Sequence, residues 1–144
     1  MPIIDSLLLL SDAQAVTATA ASTNVIDFGA PGTPKYSSVA LVRDKGKSYI
    51  PITAVVTEDF ATLTSLTLSI ETSADNSTYT TAVSTGVIAA ASLKAGYRFS
   101  IDKVPVGSTA RYMRAYFTAA GSNATAGKVT VAIGACGQTN INGG

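Results

Sequence analysis

The chain has 144 residues, enough for one domain with its own core, and carries a formal net charge of +1 at a sequence pI near 7.8. That balance excludes the electrostatic footprint of a nucleic-acid binder or of a protein drawn to an acidic membrane. Charged residues make up 13% of the chain, about half the ~25% usual in a soluble domain; Ser and Thr take their place, which suits pleated strands and guards only weakly against association.

In chain order, the first feature is the run Leu7 to Leu10 followed by Ala13, Gln14 and Ala15. It imitates the apolar core and cleavage site of a secretory signal. Asp5 precedes the run, however, no Lys or Arg occurs before Lys35, and four leucines fall short of the ~7–15 residues of a signal core. The segment is therefore expected to stay in the folded protein, with residues 1–10 as an N-terminal arm or first strand. No stretch approaches the ~18 apolar residues of a membrane span.

Strands are predicted at residues 25–28, 38–43, 49–57, 66–71, 79–84, 97–101, 111–117 and 128–133. In 66–71, Leu66, Leu68 and Ile70 alternate with polar residues, the mark of a half-buried strand. In 111–117, Met113, Ala115 and Phe117 share one face while Tyr112, Arg114 and Tyr116 share the other. Val129, Val131 and Ile133 alternate in the last strand. Residues 89–95 are too short for a stable helix and are predicted as a single helical turn. Turns are expected at Gly29 to Pro34, Asp44-Lys45-Gly46, Asp75-Asn76-Ser77, Pro105-Val106-Gly107 and Gly121-Ser122-Asn123. Short strands punctuated at roughly 8–12 residues predict an all-β sandwich or barrel, one domain over 1–144. Residues 137–144 read as a flexible tail.

The sequence offers little chemistry. It has no histidine, which removes the commonest general base and metal ligand. Cys136 is the only cysteine; it can form no intramolecular disulfide and reads as a small buried hydrophobe. Among nine carboxylates only Glu58 and Asp59 are adjacent, and neighbours on a strand point to opposite faces. Gly46-Lys47-Ser48 lacks the earlier glycine of a phosphate loop, since Leu41 stands there. No catalytic residue, metal ligand or cofactor is predicted, and the chain is not expected to be an enzyme. A β-sandwich hydrolase is disfavoured by the missing histidine.

Several segments together resemble a known family. "LLLLSDAQAVTATAASTNVIDFG", "TLTSLTLSIETSADNSTY", "STGVIAAASLKAGYRFSI" and "RYMRAYFTAAGSNATAGKVTVAI" follow one another in this order. The order is similar to that of the small jelly-roll capsid cement, or decoration, proteins of tailed bacteriophages, over about Leu7 to Ile133. The segment from Pro31 to Lys47 does not align with that pattern. The resemblance implies a jelly-roll β-sandwich of about eight antiparallel strands. It also implies attachment to the outer surface of an assembled shell of phage major capsid protein, as a homodimer or homotrimer that clamps neighbouring capsomers. The protein would be made in the host cytoplasm and end on the virion. The family offers no catalytic residues.

Contact residues are expected from the chain's own features. The apolar start Pro2, Ile3, Ile4 and Leu7 needs covering. The basic turn Arg43, Lys45 and Lys47 fits an acidic patch. The stripe Tyr112, Arg114 and Tyr116 has the residue types enriched at interfaces, unless it forms a second inner face of the sandwich. The competing class is a carbohydrate- or receptor-binding jelly-roll module of a phage virion, which would want exposed aromatic platforms; the chain has no Trp.

Overall fold

The computed structural model describes residues 3–39, 50–105 and 107–135, with Ile3 and Ala135 described by their backbone only. Pro2, Arg43, Lys45, Lys47, Cys136, the tail 137–144, the turn 44–46 and most of the strand expected at 38–43 lie outside the described residues. The chain is all-β: β1 (Ile3–Ala15), β2 (Ala20–Ala21), β3 (Ile26–Asp27), β4 (Ile50–Ser73), β5 (Thr80–Ser84), β6 (Ile88–Ala89), β7 (Lys103–Val104) and β8 (Tyr112–Ala135). Among the described residues one 3₁₀ turn, Ala90–Ser92, is the helical part, where the run 89–95 predicts a single turn.

Among the described residues every pairing is antiparallel, and two 24-residue strands organise the rest. β8 pairs along one side with β1, β2 and β3 in succession, and along the other with β4. The far side of β4 takes β5, β6 and β7 in turn. The chain thus makes four long passes, ordered in space as first, fourth, second, third. That order is consistent with the double Greek key of a jelly roll, in which each long pass bends midway and its halves fall in two layers.

The same residues explain both the strands and the shared core. Ile52 lies opposite Ile133 and Leu68 opposite Phe117 in one register, so the bulges between residues 56 and 65 of β4 cancel. Even-numbered residues of β4 and odd-numbered residues of β8 therefore face inward on both sides of the bend. Leu66, Leu68, Ile70, Met113, Ala115, Phe117, Val129 and Val131 have no exposed surface and form one cluster with Val56, Ile52 and Leu10. The apolar faces predicted for 66–71, 111–117 and 128–133 are the buried ones.

The bend is where sequence punctuation misleads. Gly121-Ser122-Asn123 does not reverse the chain; it lies inside β8. Gly121 (φ +83) and, across the ribbon, Thr62 (φ +66) adopt left-handed backbone there. Thr62 Oγ1 donates to the Asn123 carbonyl at 2.7 Å and accepts from the Thr125 N–H at 3.0 Å, holding the two strands together where the ladder is interrupted. A bulge satisfied by a hydroxyl does here what a turn would do in a hairpin.

Hydroxyl side chains also explain how the first pass stays attached despite its irregularity. β1 carries extra residues against β8 at three places. Ser11 Oγ, buried, accepts from the Val131 N–H and donates to the Val129 carbonyl, both at 3.1 Å. Ser22 Oγ accepts from Ala115 N–H at 3.0 Å, and Thr19 Oγ1 accepts from Ala119 N–H at 3.0 Å. These oxygens stand in for missing carbonyls, so β8's buried amides stay paired. The Ser/Thr richness is thus partly structural.

Two expectations shift. The strand at 97–101 is reduced to a single bridge, Arg98 opposite Val55, and the ladder resumes at β7. The Phe99 N–H bonds Ala54 O and Ile52 N–H bonds Asp102 O, which leaves one extra residue between them and breaks the strand. Residues 25–28 contribute only Ile26–Asp27 as strand.

Acid should destabilise this body in a defined window. Glu58 is held below its ordinary pKa by its hydrogen bond to Lys128, and Asp59 by the Ala95 N–H and then Lys94. Asp75 is lowered to about 2 by the N–H groups of Thr78 and Ser77. A lowered carboxylate contributes stability above its unfolded pKa, lost as pH falls through the folded value. Melting temperature should therefore fall between roughly pH 4.5 and 2 and show no histidine-linked step above it. A step near pH 6.5 in a melting series would contradict this, since the chain has no imidazole.

Candidate interaction surface

The stripe Tyr112, Arg114 and Tyr116 lies on the outer face of the sheet, because its odd-numbered neighbours Met113, Ala115 and Phe117 fill the core. It is not a second inner face. Register brings distant residues to it: Glu71 pairs with Arg114, Ser69 with Tyr116 and Ser73 with Tyr112. Arg114 Nε and Nη2 each lie 2.8 Å from Glu71 Oε2, and its guanidinium sits 3.7 Å from the Tyr79 ring centroid and 5.3 Å from that of Tyr116. At the neighbouring edge, Arg111 grips Asp27 through Nε at 2.6 Å and Nη2 at 2.7 Å, with its guanidinium 5.0 Å from the Tyr112 ring. The Asp27 bond raises the Arg111 pKa further.

Three tyrosines and two arginines thus share one face, each arginine charge-balanced by a carboxylate. Tyr79 donates to Asn76 Oδ1, and burial pushes its hydroxyl pKa up. Side chains already pinned by stacking and ion pairs lose little freedom when a partner arrives, which is what a binding face built from rigid anchors requires.

Sequence reading found the stripe but missed Tyr79, Glu71, Arg111 and Asp27. Glu71 ends a strand whose alternation places it outward, and Arg114 lies outward on its own strand, so opposite charge at matching phase was a usable signal. The register joining them was not legible.

A second surface lies along β1, the edge strand of the sheet. Ile3 and Ile4 pair with Ala135 and Gly134, so the start of the chain joins its own domain. Between the Ile4–Gly134 and Leu9–Ala132 pairs, β1 takes five steps where β8 takes two. The excess arches outward, closed by Leu7 N–H to Asp5 Oδ1 at 2.9 Å, and Leu7 stands 83% exposed. Beside the arch, Asn24 N–H bonds the Leu10 carbonyl at 3.0 Å and Asn24 Nδ2 the Leu9 carbonyl at 3.2 Å. A groove of about 360 Å³ opens between the arch and residues 23–26, with Leu7, Leu9 and Val25 among its walls.

Among the described residues, no cluster of three or more His, Cys, Asp or Glu side chains could hold a metal ion. No helix there is long and apolar enough to cross a membrane. A smaller hollow of about 240 Å³ follows the bulge at 99–102, where the buried Thr53 hydroxyl has no partner. A family model described as Bbp16 matches residues 10–133. No curated protein matches the chain.

Proposed function

The chain belongs to the Bbp16 family, a phage-related family, and on that premise we propose that it is a capsid cement protein. In this reading it binds the outer surface of the assembled major capsid protein shell, as a homo-oligomer, and clamps neighbouring capsomers. The observation that carries the reading is the pairing, on one body, of a charge-balanced Tyr/Arg sheet face with a sheet edge bearing exposed Leu7. A clamp needs at least two surfaces held at fixed separation. The single hydrophobic core to which both long strands contribute supplies the rigidity.

Physical magnitudes fit the role. A shell under internal pressure fails where subunits separate, so any molecule bridging the seam adds to the free energy of separation. Specific interfaces bury about 1,600 Å² in all. Once one contact of an oligomer is made, the next becomes intramolecular, and avidity can rise by roughly 10²–10⁴. Modest contacts with little charge then suffice. The competing carbohydrate-binding module would need an open aromatic platform with Asp or Asn partners; the Tyr79 ring is covered by Arg114, and the exposed Tyr36 has the Lys35 ammonium 5.4 Å from its ring centroid.

The test is co-sedimentation with purified shells of the cognate phage. Saturable pelleting at a fixed ratio to the capsid protein is expected. Absence from the pellet, with the protein found only free in infected cells, would overturn the proposal.

A further inference from the structure

We propose that β5 pairs with β5 of a second copy across a two-fold axis, joining two sheets edge to edge. The inference rests on the cement reading for its homo-oligomer and names the edge that makes it. β5 ends the sheet on the side away from β1, and among the described residues β4 is its one neighbour.

The ladder fixes which main-chain groups of β5 face away from β4. Thr85 N–H donates to the Leu68 carbonyl at 2.9 Å and Leu68 N–H donates to Thr85 Oγ1 at 3.1 Å, so Thr85 turns its backbone toward β4. Successive residues of an antiparallel strand turn their backbone groups to opposite sides, so Ser84, which lies opposite Ser69, turns its N–H and C=O outward. At the other end, the Thr72 carbonyl accepts from Thr80 Oγ1 at 3.4 Å and so points toward β5, with Thr80 opposite it. Thr81, opposite Glu71, is then turned outward as well. Thr81 and Ser84 are both exposed, so their outward groups are open to a partner strand.

The bulge favours a second copy over any other strand. Val83 pairs with Ile70 and Thr81 with the next residue, Glu71, which leaves Ala82 as an extra residue. The outward groups therefore stand three positions apart, where a regular strand spaces them by two. A regular strand that matches one set misses the other. A second β5 running antiparallel carries the same spacing, and lays its Ser84 opposite Thr81 and its Thr81 opposite Ser84. Each of these pairs exchanges two hydrogen bonds. The faces agree too. Thr81 and Ser84 lie opposite Glu71 and Ser69, whose own partners on β8 are the outward Arg114 and Tyr116, so the paired side chains share one side of the joined sheet.

Charge points the same way. Two-fold pairing sets a strand against itself, so a charge on the edge would meet its own kind. From Asn76 to Leu93 the chain carries no charged residue, and Thr opposite Ser is a favourable cross-strand pair. A two-fold axis normal to the sheet also keeps both outer faces on one side. The dimer then presents two copies of the Tyr/Arg face at a fixed separation, one for each capsomer that the cement reading has it join.

The experiment is sedimentation equilibrium of the full chain over a range of concentrations, without shells. The parent should sediment at twice its 14.6 kDa and pass to monomer on dilution. Thr81→Lys combined with Ser84→Lys sets like charges opposite each other in both pairs and should weaken dimerisation by roughly tenfold or more. Thr81→Lys combined with Ser84→Glu sets opposite charges there and should dimerise like the parent. In the parent, the amides of Thr81 and Ser84 should be protected from hydrogen exchange in the dimer and lose that protection on dilution, a reading that needs no variant. A parent that is monomeric at every concentration, or trimeric, overturns the pairing and leaves the cement reading to its own co-sedimentation test. A dimer in which those two amides stay unprotected, or which the two lysines leave intact, places the interface on another surface and overturns the pairing too. A β5-paired dimer that never pellets with shells supports the pairing and sinks the cement reading alone.

Discussion

Gly127→Ala is expected to destabilise the protein by about 2–5 kcal/mol, adding overpacking of a core ring to a backbone conformation that L residues avoid. Gly127 has φ +135, and a Cβ built there would lie 2.3 Å from Phe60 Cδ1 and 2.6 Å from Cε1 and Cγ. Phe60 is 5% exposed and belongs to the core, so its ring has little room to retreat. The position also sits where the first pass is fastened: Val16 N–H bonds the Gly127 carbonyl at 3.1 Å, and Lys128 beside it pairs with Glu58 at 2.5 Å. Any shift of the backbone there strains both contacts. Gly86→Ala is the control, because Gly86 has φ +75 with nothing within 4 Å of the added carbon; its cost should be backbone strain alone, about 1–2 kcal/mol. Denaturant titration of both variants separates the two terms. Equal stabilities for the two variants would mean that Phe60 does not rest on Gly127.

Arg114→Ala is expected to cost about 2–4 kcal/mol, somewhat less than the usual loss on breaking a fully buried ion pair. The Arg114 side chain is 24% exposed and the Glu71 side chain 13%. Removing the guanidinium leaves the Glu71 carboxylate half-sequestered without its cation and strips the cover from the Tyr79 and Tyr116 rings. Two further variants make the argument specific. Glu71→Gln combined with Arg114→Ala should recover part of the loss, since the stranded charge is gone. Arg114→Lys should not restore the parent, because an ammonium cannot stack as a plane between two rings. A double-mutant cycle showing no coupling between Glu71 and Arg114 would contradict the geometry. In the cement reading, the same Arg114→Ala change also weakens attachment to shells, by disordering a preformed contact face.

The fold class was legible because its strongest strands speak locally. Leu66, Leu68 and Ile70, and Val129, Val131 and Ile133, alternate so cleanly that the inward face follows from the pattern alone. What resisted reading was long-range. β4 and β8 run 24 residues each, through a bend where Gly121 and Asn123 imitate a hairpin turn. A glycine cluster marks a turn or a bulge equally well, and only the partner strand decides between them. β2 and β6 are two residues each, among Ala, Thr and Ser that favour no face. Phe99 and Ile101 are buried as a strand pattern would require, yet one extra residue opposite Ile52 and Ala54 breaks the ladder.

The candidate surfaces divide the same way. Tyr112, Arg114 and Tyr116 were visible as one face of one strand. Tyr79 joins them through the β4–β5 hairpin and Arg111 holds Asp27 across 84 positions, so neither could be seen without the register. Leu7 was visible as an apolar residue of the opening arm that needs covering, and its 83% exposure came from the structure. Its groove was not, because it depends on an irregular β1 meeting residues 23–26 across a corner. Local pattern gave faces; tertiary pairing gave sites.

Cryo-electron microscopy of cognate shells mixed with the purified protein gives the decisive observation. The cement reading predicts added β-rich density of this size on the outer surface, lying across the boundaries between capsomers. Shells that stay bare at saturating protein, or density confined to the tail or the interior, would contradict it.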